Sequence, residues 1–529
     1  MKKLLLVIVV LAGGVISGYS QPVNIYQPNG STTNFGKVAA DSLNYYVVNY
    51  PALTLMKIDG SNNATLVTTL PADPFQTMIW NNGKGIFPVS AGLPFKLFDG
   101  TKQIDIIGGQ LPLAGYTLGN VILLDYFHKG NTTYFRTNDK IYKTDFSSPS
   151  SIITLAVRQS TTGVGISDMS HTANSIIYQN IVSTATGVLK RIDLTTGNIT
   201  KIDSSTIGAT NYEKGIVYNN EYYYCTPFAT TSLGSSKIYK VNDNGIKTTF
   251  YTESNPTKYI RKVIGATPNG IIAVIADNTG ANEYVAIKNG VSTSLNFGTF
   301  SNSLPTNDYA GGVTTHSLVY FSALDDNRAV ALNNALWVTD GTLAGTKKIK
   351  GGPASTFNTS GLDGTYLGSY ASCGNDIYYE GRDGTISGSL IYVNGSTFAM
   401  QSFNYLPNPV TIRQTASGIF AIAKPTYTLS AKAVYKVTCS TITGIHNNRS
   451  NQVAFDVFPN PGNGQLTISI SGNSEKYDLK IYNMLGENVF SQILDTQTTH
   501  INLNLKSGMY FVYVLDDSGS KSTRKLIIQ

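Results

Sequence analysis

Five histidines, His128, His171, His316, His446 and His500, are the side chains best suited to move a proton or hold a metal near neutral pH. They are scattered, and no His-Glu-x-x-His or other short ligand spacing joins any two of them. No metal is therefore expected, although a site gathered from distant segments stays open. Two acidic clusters, Asp325-Asp326-Asn327 and Glu380-Gly381-Arg382-Asp383-Gly384, have the chemistry for calcium binding or for a carboxylate pair. Asp-Gly is also a turn signal, and both clusters fall where inter-strand turns are expected. There is no Gly-x-Ser-x-Gly elbow and no Gly-rich phosphate loop. Cys225, Cys373 and Cys439 permit at most one disulfide, and their strand-like neighbours read them as small core residues. The 33 tyrosines could stack against sugars, but several (Tyr142, Tyr239, Tyr392, Tyr435) recur at one place in a repeat, where packing is the simpler account. No catalytic residue stands out and no cofactor is implied, so the chain reads as a non-enzyme.

Charge excludes further classes. Lys and Arg number 39 against 32 Asp and Glu, a net +7, and charged residues make up 13% of the 529. That is about half the usual share. A nucleic-acid binder needs a dense basic stripe, and a self-repelling disordered chain needs more charge than this.

The elements that must position any chemistry come from a repeat. Its core is a strand of alternating large and polar residues that ends in Asp or Asn, often with Gly. The nine copies begin at Leu55, Phe95, Ile141, Leu189, Ile238, Val285, Leu336, Leu390 and Val434, at steps of 40 to 54 residues. The Asp-Gly or Asn-Gly predicts a tight hairpin turn with positive φ angles, and a second alternating strand follows. A more apolar strand precedes each core, such as Ile271-Ile272-Ala273-Val274-Ile275 or Ile419-Phe420-Ala421-Ile422. Such runs suit strands buried on both faces, so each unit is expected to be a meander whose innermost strand is this apolar one. Small sheets of this kind bury both faces by stacking around an axis, the logic of a β-propeller. The expectation is one ring of seven to nine blades, eight as the central value, with the end copies sharing a blade. Two smaller rings or an open solenoid are the alternatives. Leu336-Trp337-Val338-Thr339-Asp340-Gly341-Thr342-Leu343-Ala344-Gly345-Thr346 resembles the ELWxTDGTxxGT repeat of secreted bacterial propeller-like proteins.

Both ends carry addresses. Lys2 and Lys3 precede the apolar run Leu4 to Leu11, and Gly18-Tyr19-Ser20 offers small residues for a cut between Ser20 and Gln21. Residues 1–20 are thus expected to be a signal peptide, and no later run is long and apolar enough for a transmembrane helix. Residues 21–439 hold the repeats, and 440–454 read as a linker. Residues 455–529 change pattern to about seven short strands, as in an immunoglobulin-like β-sandwich. Their motifs are Phe458-Pro459-Asn460-Pro461 with Gly464, Ile481-Tyr482-Asn483-Met484-Leu485-Gly486 with Val489, Leu505 with Gly508-Met509-Tyr510-Phe511-Val512, and Lys525. This segment resembles the type A C-terminal sorting domain of the type IX secretion system of the Bacteroidetes, with Asn483 where Asp is common.

The resemblance implies passage to the periplasm and export through the outer-membrane translocon. In many members a sortase-like peptidase then removes the domain and joins the cargo to anionic lipopolysaccharide, while others are released. The expected protein is all-β, monomeric and displayed at the cell surface or secreted. Its expected role is binding or scaffolding toward an unidentified glycan or protein, not nucleic acid. The rival is a hydrolytic propeller whose residues gather from loops on one ring face.

Overall fold

A computed structural model describes residues 22–27, 34–71, 78–88, 95–106, 125–137, 139–158, 165–183, 186–205, 214–225, 233–278, 282–295, 312–324, 334–350, 357–358, 370–383, 386–403, 412–423, 432–437, 454–471, 476–483, 487–516 and 521–529. Their regular structure is strand apart from one short 3-10 turn at Pro149–Ser151, and the chain divides into two compact units, the second formed in the main by His446–Gln529. Among the described residues no helix is long and apolar enough to cross a membrane.

The first unit contains nine antiparallel sheets among its described residues. The first sheet runs Asn34–Ala40, Tyr45–Tyr50, Thr54–Ile58, Ala64–Thr69, and the second Ile79–Asn81, Lys84–Pro88, Phe95–Phe98, Gln103–Asp105. The third is Tyr126–Lys129, Thr132–Arg136, Lys140–Thr144, Ile153–Val157, and the fourth Gly165–His171, Ser175–Ser183, Thr186–Asp193, Ile199–Ser205. The fifth is Ile216–Tyr218, Glu221–Cys225, Lys237–Val241, Lys247–Thr252, and the sixth Lys258–Thr267, Gly270–Asp277, Asn282–Lys288, Val291–Ser294. The seventh is Val313–Thr314, Val319–Leu324, Asn334–Thr339, Lys347–Lys350. In the eighth, Phe357–Asn358 and Tyr370–Cys373 both pair with Asp376–Asp383, followed by Ile386–Val393 and Met400–Phe403. The ninth is Ile412–Thr415, Gly418–Ala423 and Ala433–Val437, completed by Val23–Tyr26 from the start of the chain.

Each repeat core is the third strand of its own sheet, so the end copies do not share one. The last copy instead borrows its fourth strand from residues ahead of the first. The apolar run read as innermost is the second strand, and a further, more polar strand lies in front of it. First strands of neighbouring sheets approach one another directly, as Asn34–Ala40 does with Ile79–Asn81 and with Ile412–Thr415, which places first strands at the centre.

Packing explains the ring. In the sixth sheet Ile271, Ala273 and Ile275 join a buried cluster with Tyr223 and Ile238 of the fifth, while Ile272 and Val274 join Val319, Phe321 and Trp337 of the seventh. One strand thus supplies two seams by simple alternation. Nine such clusters occur among the described residues, one per pair of neighbours. The last joins Phe420, Ile422 and Val434 of the ninth sheet to Tyr45, Val47 and Ile58 of the first. There Tyr45 stacks on Phe420 at 5.2 Å. The sheets therefore close a circle, a β-propeller by construction. Tyr142 and Tyr392 lie buried in these seams, and Tyr239 and Tyr435 pack partly into them, as the packing account of the tyrosines expects.

Cys225 is a buried free thiol, and Cys373, also buried in the core, is disulfide-bonded. Cys439 lies outside the described residues.

The second unit is a sandwich. A three-stranded sheet (Ala454–Phe458, Gln465–Ser471, Thr498–Asn502) faces a four-stranded one ordered Asn488–Leu494, Tyr477–Asn483, Gly508–Asp516, Lys521–Ile528. Their inner faces share one cluster of fifteen buried residues that includes Leu466, Ile468, Leu479, Ile481, Val512 and Leu526. Apolar and polar residues alternate from Ile501 to Leu505, but the strand ends at Asn502, although Leu503 is still buried.

Candidate functional site

The Asp or Asn that ends a repeat core is a turn residue, as its chemistry predicts. Side-chain oxygens of Asp59, Asp99, Asp145, Asp193, Asn242, Asp340 and Asn394 accept backbone N–H groups two to four residues ahead, at 2.7–3.1 Å. These N–H donors hold the Asp99 and Asp193 carboxyls down at about 2. Most of these turns are longer than the expected two-residue hairpin, which forms at Asn289-Gly290, where both φ angles are positive and Lys288 pairs with Val291.

The turns after first strands lie on the same ring face and stitch the sheets together. Asp41 accepts from Leu43 and Asn44 in its own turn, from the Tyr46 hydroxyl at 2.7 Å, and from the Asn82 amide of the second sheet at 3.0 Å. Asp243 of the fifth sheet accepts from Thr172 and Asn174 of the fourth. Lys129 of the third sheet donates to the Ala173 carbonyl at 2.8 Å.

The described histidines fit this framework. His128 shares a hydrogen bond with Thr133 at 3.0 Å, and His171 stacks on Phe127 at 4.0 Å. Burial holds both rings below the usual imidazole range. His316 occupies a turn after a first strand, and His500 shares a hydrogen bond with Thr467. Among the described residues no group of three or more His, Cys, Asp or Glu could hold a metal. Glu380 to Asp383 lie within the strand Asp376–Asp383, not in a turn, because the pairing with Ile386–Val393 continues to its end. Asp325-Asp326-Asn327, His446, Ser20 and Gln21 lie outside the described residues.

Titratable groups from different sheets do meet near the centre of the ring, at positions the sequence did not single out. Arg136, ending the second strand of the third sheet, bonds Asp125 at 2.6 Å, and the side chains of both are about a tenth exposed. Its other nitrogens donate to the carbonyls of Ile166 and Ser167 in the fourth sheet, at 2.6 and 3.0 Å. Those carbonyls are open because Ser167 bulges out of the ladder: Ile166 pairs with Asn180 and Asp168 with Gln179. Asp168, next to the bulge, faces the ammonium of Lys214 from the fifth sheet at 3.5 Å. Burial pushes the Asp168 carboxyl up, against the pull of Lys214. Burial opposes the charge of Lys214, but Asp168 and then Asp125 outweigh it and hold its ammonium above the usual lysine range.

Lys214 is half exposed, and Tyr370 of the eighth sheet, three sheets further round, is near enough to act on it electrostatically. Asp168 lies within a first strand, Tyr370 begins one, and Lys214 stands two residues ahead of one. Asn180, fully buried, has neither amide atom paired. Alternation with Ile176 and Tyr178 turns it toward the third sheet, the side from which Arg136 comes.

In the second unit the sequence motif builds a clamp on the last strand. Asn460 donates to the Lys525 carbonyl at 2.6 Å and accepts from the Ile527 amide at 2.9 Å. The peptide bonds before Pro459 and Pro461 are cis. Gly462 donates to Ile527, and Gln529 to Gly462. Gly464 has φ +95° and sits where a Cβ would meet the Leu503 carbonyl oxygen, so only glycine fits. Gly508 opens the strand that pairs with this last one, and the buried Tyr510 donates to the Lys506 carbonyl at 2.8 Å. Lys525 pairs with Phe511 and points to solvent, while Gly486 lies outside the described residues.

Comparison with known proteins agrees with this division. Residues 456–529 match the secretion system C-terminal sorting domain. No curated protein matches the chain. Among solved structures, PorZ, a surface component of the type IX secretion system of Porphyromonas gingivalis, is similar at 11% identity over 92% of each chain, with a TM-score of 0.23. Dipeptidyl peptidase 4 of the same organism is similar at 12% identity over 78% of this chain and 68% of its own, with a TM-score of 0.41. An oligogalacturonate lyase of Vibrio parahaemolyticus gives 12%, 69%, 95% and 0.35. At these scores none of the three bears on what the chain binds. The carboxy-terminal unit, by contrast, is a type IX secretion system C-terminal sorting domain, and it marks the chain for export to the outer-membrane surface or the extracellular space.

Proposed function

We propose that the ring is a binding module carried outside the cell by its sorting domain, and that its ligand enters the central channel at the level of Asp168, Lys214 and Tyr370. The observation that supports this is an ammonium and a phenol, from sheets five and eight, both open to solvent: Lys214 just ahead of the strand Ile216–Tyr218, and Tyr370 at the head of the strand Tyr370–Cys373. Asp168 holds Lys214 in place. Buried pairing and a bulge, which cost stability in a plain core, suit a site where specificity matters more than packing. Glycan arrays and pull-downs with the full chain test the reading. Ligands whose binding ignores Lys214→Gln and Tyr370→Ala would move the site elsewhere.

A hydrolytic reading has one point in its favour. Asp125 and Asp168 come from neighbouring sheets, and the latter is held toward its protonated form by burial, as a general acid must be. Against it, Arg136 locks Asp125 and Lys214 faces Asp168, which spends both carboxylates on ion pairs. Turnover of an oligosaccharide that Asp168→Asn abolishes would replace the binding reading with this one. Within the same proposal, a sortase-like peptidase removes the sorting domain and the monomeric ring is joined to lipopolysaccharide. Mass spectrometry of the surface form, ending near residue 455, is the check.

A further inference from the structure

A cation recurs at the third position of the repeat core, as Lys57, Lys143, Arg191, Lys240 and Lys436. In two copies it clasps the next sheet. Lys436 of the ninth sheet donates to the Gly60 carbonyl at 2.7 Å and to the Asn62 side-chain oxygen at 3.0 Å, in the turn after the third strand of the first sheet. Arg191 of the fourth donates to the Asp243 carbonyl at 2.6 and 3.0 Å, in the matching turn of the fifth. Lys143 alternates with Ile141 of the seam cluster and so faces the matching turn of the fourth sheet. Among the described residues it has no hydrogen bond or ion pair there. The turns differ in length. Backbone bonds close the first over Asp59 to Asn63 and the fifth over Asn242 to Ile246, but the fourth over Asp193 to Asn198, one residue more. Where the clasp would sit is a cavity of about 90 Å³.

Its walls have two characters. Leu155, Ile192 and Leu194 are apolar, Lys143 brings an ammonium, and Tyr134, opposite Lys143 in the ladder, brings a hydroxyl. Tyr134 is 7% exposed and stacks on Phe127 at 4.9 Å, but its hydroxyl has no hydrogen-bond partner among the described residues. Burial pushes that hydroxyl's pKa up, so it stays a donor. Asp193 also lines the cavity, but its carboxylate is engaged: one oxygen accepts from the Thr195 and Thr196 amides at 2.9 Å, the other from Arg191 at 2.8 Å. Unmet donors beside an apolar wall suit an anion on a short apolar stem, and the space exceeds what one water needs. We propose that this cavity binds a small aliphatic carboxylate, its oxygens taking the Lys143 ammonium and the Tyr134 hydroxyl and its stem lying on Leu155 and Leu194. Such a ligand ties the third sheet to the fourth, as Arg191 and Lys436 tie theirs. The site lies on second to fourth strands and does not rest on the channel reading.

Saturation-transfer NMR and thermal unfolding of the full chain test it, with propionate, neutral propionamide, galacturonate and inorganic phosphate as probes. Propionate binds saturably and raises the ring's melting temperature, as a ligand of the folded state must. Propionamide binds at least tenfold more weakly, and Lys143→Gln weakens propionate about tenfold, each the loss of one charge-assisted contact. Tyr134→Phe weakens it about threefold, the loss of one neutral hydrogen bond. Lys201→Gln, an exposed lysine on the outer strand of the fourth sheet, leaves binding unchanged. Melting without propionate separates lost contact from lost fold in the variants, and the wild-type contrast of propionate with propionamide decides the ligand class without them. No saturable propionate binding, equal binding of propionamide, tighter binding of phosphate or galacturonate, or binding indifferent to Lys143→Gln overturns the inference.

Discussion

The ring and the tail solve the same problem, burying small sheets, in opposite ways. In the ring no sheet has a core of its own. Each has two apolar faces, and nine seams share the burial, so a fault in one seam is spread over a circle. In the tail two sheets have one inner face each, and a single cluster of fifteen residues carries the whole unit. The ring depends on joining distant parts of the chain, Val23–Tyr26 to Ala433–Val437, whereas the tail depends on holding its own last strand. Distributed cores tolerate polar groups such as Arg136, Asp168 and Asn180 between their sheets. The single small core of the tail holds none: among the described residues no buried polar side chain, tyrosine aside, lies beyond Lys436.

The largest effect is expected from deleting Val23–Tyr26. The ninth sheet loses its outer strand, Ile25 and Tyr26 leave the closing seam, and the ring opens. Cooperative unfolding should disappear in calorimetry while the tail's transition persists; an unchanged ring transition would break the account of closure. Next come two matched truncations. Ile481→Ala and Ile272→Ala each remove a fully buried side chain, at a cost of about 2–5 kcal/mol. In a tail of this size that approaches the whole stability, so Ile481→Ala should unfold it and stop export. Ile272→Ala should lower the ring's melting temperature and leave export intact. If both behave alike, the contrast between shared and single cores fails.

Asn460→Ala removes two hydrogen bonds to the last strand, worth about 1 kcal/mol together at an exposed site. Faster amide exchange at Ile527, with the Leu479 amide unaffected, is the readout. The smallest effect concerns acid. Asp99 and Asp193 have carboxyls lowered from 3.8 to about 2 in the folded ring. A lowered folded value means the stabilisation is present above the unfolded value and is lost as pH falls from about 4 toward 2. Asp99→Asn and Asp193→Asn keep the turn, as Asn242 and Asn394 already do, and should flatten that acid limb of the ring's pH–stability curve. An unaltered limb would show that the turn carboxylates do not set it.

The channel cluster was hidden for a clear reason. Arg136, Asp168 and Lys214 lie on three sheets and in no common motif, and each alone looks like a polar residue on a strand. One signal was present: Asp168 and Arg136 interrupt otherwise apolar or neutral strand positions without any turn residue beside them. The first strands were missed because most of them run for seven residues or fewer and lack the apolar run that marks the second strands. Glu380 to Asp383 misled in the other direction, since Gly384 suggested a turn earlier than the ladder ends.

Sequence alone determined the local pieces: the period, the nine third strands, the Asx residues that end them, and a tail motif whose prolines and glycine admit little else. These follow from short-range rules, because alternation, turn chemistry and positive φ act within a few residues. The closing of the circle, the partner that completes the ninth sheet, the bulge at Ser167 and the meeting of Asp168 with Lys214 were decided by tertiary structure. They depend on which faces bury one another across hundreds of residues, and no local rule specifies that.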